Sequence, residues 1–149
     1  ALVIDGTVAA GSVALPALGE TLATGAAAPT PAPPTDGPPR VVVSRTRPPE
    51  AATTVVDALD GRLVEMGSAG AKAMSVIRGE ADVYVHSGGQ YEWDSAAPVA
   101  VAAAAGLHTS RIDGSPLTYN RPDPYLPDLL ICRPELAATV LDVLARTVP

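Results

Sequence analysis

Phenylalanine is absent from this sequence, tryptophan occurs once, and tyrosine four times in 149 residues. A core without many large rings must be built from small side chains packed closely, and the 47% apolar content is mostly Ala and Val. Cysteine is nearly absent as well. Cys132, alone in the apolar run DLLICRP, has no partner for an internal disulfide, so a reducing, cytoplasmic setting is the simplest reading. Lys and Arg number 10 against 16 Asp and Glu, for a net charge of −6. They are scattered, which argues against a nucleic-acid polymer as partner. Long hydrophobic runs are also missing: about Ala96 to Ala105 is well short of the ~20 residues that a membrane span needs. The opening ALVIDG lacks the charged region of a signal peptide. It begins directly on a strand-like run without Met, which raises the expectation that these residues are the later part of a longer chain.

What is present is arranged in short segments within one domain's length, enough to bury roughly 68–70% of the unfolded surface. Ala1 to Ile4 reads as a strand ending at Asp5-Gly6, a hairpin-turn pair, with a second β-like run behind it. Residues 25–40, GAAAPTPAPPTDGPPR, suit neither a helix nor an inner strand and read as a flexible surface loop. VVVSRTRPP reads as a buried strand running into a turn, and Glu50 to Gly61 as a helix. RLVEM is a strand entering a glycine-bearing turn, and AKAMSVIRGE a helix ending near Gly79. ADVYVH alternates as a strand, SGGQ reads as a turn, and Asp94 to Ala105 as a helix stopped by Gly106. A short strand, the strand PDLLICRP and a helix from Pro134 close the chain. Strands alternating with helices in the later half mark an α/β fold.

The single tryptophan stands beside a carboxylate in YEWDSAAP. Asp94 occupies the place of a helix N-cap, worth ~1 kcal/mol, with Pro98 in the first turn. A carboxylate held there by a wedged bulky neighbour is also a rigid oxygen ligand for Mg²⁺. Spacing alone leaves both readings open. Upstream, MGSAGAK (Met66 to Lys72) places two glycines, Ser68 and Lys72 at a helix start. That is an anion site in one reading and a tightly packed turn in the other. Arg78, just before Gly79, suits a helix C-terminal cation. His86 and His108 have no paired ligand in view and read as structural, and Tyr84 and Tyr91 read as packing near the strand that precedes Asp94. Cys132 reads as a small core residue.

The stretch GSAGAKAMSVIRGEADVYVHSGGQYEWDSAAPVAVAAAAG resembles the second signature region of the inositol monophosphatase superfamily of Mg²⁺-dependent, lithium-sensitive phosphatases. That region runs from a glycine-serine turn through a helix and a strand ending in Ala-Asp-x-Tyr to Trp-Asp-x-Ala-Ala. Lys72, SRTR near Ser44, GEADVYV and the Pro of WDSAAP are most similar to the 3′(2′),5′-bisphosphate nucleotidases within it. DGSPLTY extends the likeness, which covers most of residues 1–133.

The resemblance implies that residues 1–149 are the C-terminal part of the layered αβαβα sugar-phosphatase fold. It implies removal of the 3′-phosphate of 3′-phosphoadenosine 5′-phosphate to give AMP in sulfur assimilation, with two or three Mg²⁺ ions per site. Asp94 then corresponds to a catalytic metal ligand, Ser68 and Lys72 to nucleotide-holding residues, and Arg78 to a phosphate contact. Arg47 stands where family members often carry the His of Ser-Arg-Ser-His, and carries over only as a cationic substrate contact. Inositol monophosphatase or fructose-1,6-bisphosphatase activity is the alternative within the superfamily. A non-catalytic Ala/Pro-rich interaction domain is the alternative outside it. IDGT at Ile4 to Thr7 looks like part of the first metal motif, Asp-Pro-x-Asp-Gly-Thr. The Asp-Pro is missing, however, and the flanking pattern suits a hairpin. The main metal motif and the water-activating acid are therefore expected in an N-terminal segment of the same protein, packed against these residues. A homodimer is the further assembly considered.

Overall fold

The computed structural model describes residues 1–26, 28–46 and 48–147. Two antiparallel hairpins come first: β1 (Leu2–Ile4) with β2 (Thr7–Ala10), then β3 (Ser12–Leu15) with β4 (Glu20–Ala23). Asp5 and Gly6 form the first turn with φ of 48° and 76° and bring Ile4 opposite Thr7. Two consecutive positive φ angles are the demand of a tight hairpin turn, and Asp-Gly meets it. There follow β5 (Arg40–Ser44), α1 (Glu50–Leu59), β6 (Arg62–Met66), α2 (Ala69–Ile77), β7 (Val83–Tyr91), α3 (Glu92–Ala104), β8 (His108–Ser110), β9 (Tyr125–Cys132) and α4 (Pro134–Thr147). These strands make a five-stranded sheet in the order β6-β5-β7-β9-β8, parallel across β6-β5-β7 and antiparallel from β7 onward.

Side-chain alternation splits the core between the two faces of this sheet. Val41, Val43, Val83, Val85, Leu130 and Cys132 pack with α1 and α4. Val42, Tyr84, Leu129 and Ile131 pack with α2 and α3. The hairpins cover the far side of α2 and α3 through Val3, Val8, Val13, Leu15 and Leu22. The stack is therefore hairpins, helices, sheet, helices. It contains four of the five layers expected of an αβαβα fold.

The alanines are explained by this burial. α3 lies between hairpins and sheet, so small residues set how closely the layers approach. A methyl group added at Gly11, between the two hairpins, would sit 2.8 Å from the Ala100 Cβ and 2.9 Å from the Ala97 carbonyl oxygen, so only a glycine lets the chain lie this close to α3.

One expectation is corrected. SGGQ is not a turn: β7 runs through it, with a bulge between Ser87 and Gln90 where Gly88 and Gly89 take φ of 75° and 73°. The Pro-rich segment, expected to be a surface loop, has no helix or strand among its described residues 28–39 and is exposed over 33–38, but it is anchored at one point. The Ala32 N–H donates to the Ile77 carbonyl at 2.8 Å, and the Ala32 and Pro33 carbonyls accept from Arg133 Nη2 at 2.7 and 3.2 Å. Proline removes the donors a ladder needs but leaves carbonyls that a buried guanidinium can bind.

Candidate functional site

The parallel strands β6, β5 and β7 end on the same side, where open α/β sheets place ligands. β5 ends at Ser44, β6 leads through Gly67 and Ser68 into α2, and β7 leads through its bulge into α3. Ser44, His86, Ser87, Gly88 and Gly89 line a cavity of about 250 Å³ at this edge.

Ser68 starts α2 with a φ of 60° and caps it, its Oγ accepting from the Ala71 N–H at 3.3 Å. Lys72 lies one turn on, and its ammonium donates to the Ser68 carbonyl oxygen at 3.1 Å. The residue is only 5% exposed, and Nζ stands 5.4 Å from the centroid of the Tyr84 ring. Burial lowers the Lys72 pKa, and the charge of Asp94 opposes that shift. The same charge adds to the burial that drives the Tyr84 hydroxyl upward. Lys72, Tyr84 and Asp94 therefore share one electrostatic neighbourhood.

Asp94 is not the N-cap. α3 begins at Glu92, so Asp94 is its third residue, and its Oδ2 reaches back to accept from the Tyr91 N–H at 3.0 Å. The carboxylate still satisfies a helix-start donor, from inside the first turn. Its Oδ1 makes no hydrogen bond among the described residues. The earlier start also puts Pro98 inside the helix, so the Asp94 carbonyl lacks its usual i+4 donor. Nor is Trp93 wedged. It is 68% exposed and stacks flat on Tyr91, with ring centroids 4.6 Å apart, while Tyr91 meets the edge of Tyr125. Next to it, both carboxylate oxygens of Glu92 accept backbone N–H groups, from Asn120 at 2.7 Å and Arg121 at 3.1 Å. This ties the turn before β9 to the start of α3.

Residues 1–145 match the model of the inositol monophosphatase family. The chain belongs to that family. A 3′-phosphoadenosine 5′-phosphate phosphatase of Mycobacterium bovis is 52% identical over 139 residues, which are 90% of this chain and 51% of that protein. The protein of that name from Mycobacterium leprae is 54% identical over 105 residues, 70% of this chain and 39% of the relative. The Thermotoga maritima IMPase shares the fold, with a TM-score of 0.71 at 18% identity over 95% of this chain and 57% of its own. CysQ from Bacteroides thetaiotaomicron matches with a TM-score of 0.58 at 31% identity, over 69% and 40% of the two chains. The chain spans about half the length of the curated relatives it matches.

Within this member of the inositol monophosphatase family, Ser68, Lys72 and Asp94 are brought to one edge. Arg78 is not with them. It lies just past the opposite end of α2, paired with Glu20 and, at 2.9 Å, with Glu80. A nine-residue helix rises ~13 Å, which separates Arg78 from the Ser68 end. Its partner Glu20 is remote in sequence, which is why spacing could not exclude it from the site. Arg47 lies outside the described residues. Gln90, by contrast, belongs to the neighbourhood without having been singled out, and Tyr84 does so although its sequence reading was packing alone. Strand alternation turns Tyr84 inward, but nothing local to Gln90 marks it.

Among the described residues, no three His, Cys, Asp or Glu side chains are grouped so as to hold a metal ion. With one oxygen in the cap and the other open, Asp94 fits as a single carboxylate ligand to Mg²⁺, which accepts one or two protein carboxylates alongside phosphate oxygens and water. No helix of the described residues is long and apolar enough to cross a membrane.

Proposed function

We propose that the protein carrying this chain is a Mg²⁺-dependent, lithium-sensitive phosphatase of sulfur assimilation, which removes the 3′-phosphate of 3′-phosphoadenosine 5′-phosphate and releases AMP. The observation that carries this reading is Lys72. Lysine is almost never fully buried unless it is paired. Here a lysine that is 5% exposed as a residue has one carbonyl acceptor for its ammonium and no ion pair among the described residues. Two of its three N–H donors remain for an anion. The first-turn N–H groups of α2 lie beside it, at the positive end of the helix dipole. A chain 52% identical to proteins named as phosphatases of that bisphosphate supplies the substrate.

In this reading Lys72 and the Ser68 turn bind and orient phosphate oxygens, and the cavity beside Ser44 and His86 offers room for the nucleoside. Asp94 would hold Mg²⁺ through Oδ1 while Oδ2 keeps the Tyr91 N–H. When bound, the metal polarises the phosphate, activates water and stabilises the leaving oxygen. Water adds to phosphorus as the bond to the ribose 3′-oxygen breaks, and that oxygen leaves with a proton. The other carboxylates and the water-activating acid come from the N-terminal remainder of the protein.

Phosphate release by the full-length protein, with and without Mg²⁺, tests this on the bisphosphate nucleotide, inositol 1-phosphate and fructose 1,6-bisphosphate. The nucleotide is expected to be used best. Lys72→Ala should lower kcat/KM on the nucleotide at least ~10-fold, about the worth of one charge-assisted contact, and should cost less on inositol phosphate. Equal losses on both would make Lys72 structural.

A further inference from the structure

Gln90 is 5% exposed and lies at the end of the β7 bulge. Its Nε2 donates to the Tyr84 hydroxyl at 2.8 Å, and its Oε1 is buried without a partner among the described residues. Six residues of regular strand span ~20 Å. The two side chains meet because the Gly88-Gly89 bulge bends β7 between them. A leucine would fill the same space without stranding an amide oxygen. What the amide adds is the bond to Tyr84. Tyr84 in turn is fully buried, with its ring under the Lys72 ammonium. A lysine on a flexible four-carbon stem is a poor phosphate ligand unless something fixes it. Here the Ser68 carbonyl holds one donor, and the ring face bounds another side of the ammonium.

We infer that Gln90 and Tyr84 are positioning residues for Lys72: the amide fixes the tyrosine, and the tyrosine ring fixes the ammonium beside Ser68. The role rests on the reading of Lys72 as the phosphate-binding lysine. It concerns how the nucleotide is held, not how the phosphate is cleaved.

The test uses the full-length protein with Q90L, Y84F, the double variant and K72A. KM and kcat on the bisphosphate nucleotide are measured for each, and for the wild type, Q90L, Y84F and the double variant also the rate at which an amine-acylating reagent labels the Lys72 peptide, read by mass spectrometry. Q90L and Y84F are each expected to raise KM three- to tenfold with kcat within about twofold, and to speed Lys72 acylation at least threefold. The double variant should be no worse than the poorer single one, because both substitutions break the same link. Full additivity, an unchanged KM, or a fall in kcat alone overturns the inference. Should Q90L fail to fold, Y84F removes only one oxygen and decides alone: wild-type KM and wild-type acylation refute the link. If K72A leaves KM unchanged, the phosphate-lysine reading itself fails. If K72A raises KM while Q90L and Y84F behave as wild type, only the positioning role falls.

Discussion

Replacing Asp82 with Asn removes the buried carboxylate that two guanidinium groups share. Asp82 accepts from the Arg40 backbone N–H at 2.8 Å, from Arg40 Nε and Nη2 at 2.9 and 3.1 Å, and from Arg133 Nε at 2.9 Å. The three side chains are 11% exposed or less. Asn keeps the shape but loses the charge and turns N–H groups toward other donors. Breaking a buried ion pair by removing one partner costs ~3–5 kcal/mol, and here two cations are left facing each other. For a domain of this size that corresponds to a fall in Tm of roughly 10 °C. The pH dependence gives an independent check. Burial pushes the Asp82 carboxyl up, but hydrogen bonds from Arg40 and Arg133 outweigh it and hold it below the ordinary range of an aspartate. A depressed carboxylate contributes stability that is present above its unfolded pKa and lost as pH falls through the folded one. The wild type should therefore lose stability below about pH 4 more steeply than Asp82→Asn does. Urea titrations of the full-length protein at pH 7 and at pH 3 measure both effects. A loss under ~1 kcal/mol at pH 7, or identical acid limbs, would refute the argument. A companion variant, Arg133→Met, leaves Asp82 paired with Arg40 but frees the Ala32 and Pro33 carbonyls. Limited proteolysis should then cut within residues 28–39 sooner than in the wild type.

Three further outcomes are expected. Asp94→Asn keeps an acceptor for the Tyr91 N–H, so thermal stability should change by less than ~1 kcal/mol. Phosphatase activity of the full-length protein should drop at least ~100-fold, and near-normal turnover at ordinary Mg²⁺ would sink the ligand assignment. Gly11→Ala forces a methyl group against the Ala97 carbonyl and should cost ~1–3 kcal/mol in a chemical denaturation experiment, since neither hairpin nor helix backbone can yield cheaply. Residues 1–149 expressed alone should self-associate in light scattering and release no phosphate. Leu2, Ile4 and Leu18 are 54–57% exposed on the hairpin layer, whose ribbons also present open edges. A monodisperse, active monomer would contradict that expectation and return Asp5 to consideration as a metal ligand.

What the sequence determined by itself was local. Asp5-Gly6 announced a turn with two left-handed residues, valine runs announced strands buried on both faces, the glycine-serine turn announced the start of α2, and the Trp-Asp block announced to which family the chain belongs. Each of those signals is carried by residues a few positions apart, so chain stereochemistry and short-range hydrogen bonds suffice to express it. What only the tertiary structure decided involves partners that no window contains. Arg78 was drawn away from the Lys72 end by Glu20, 58 positions back in the chain. The Pro-rich segment was tied down by Arg133, about 100 positions on. Trp93 was freed to stack on Tyr91, and Gln90 was swung onto Tyr84 by a bulge that pairs with β9 rather than by any preference of its own. A buried charge or amide takes whichever partner packing brings within reach. Those identities emerge only when the layers close, because desolvation makes a missing partner costly only then.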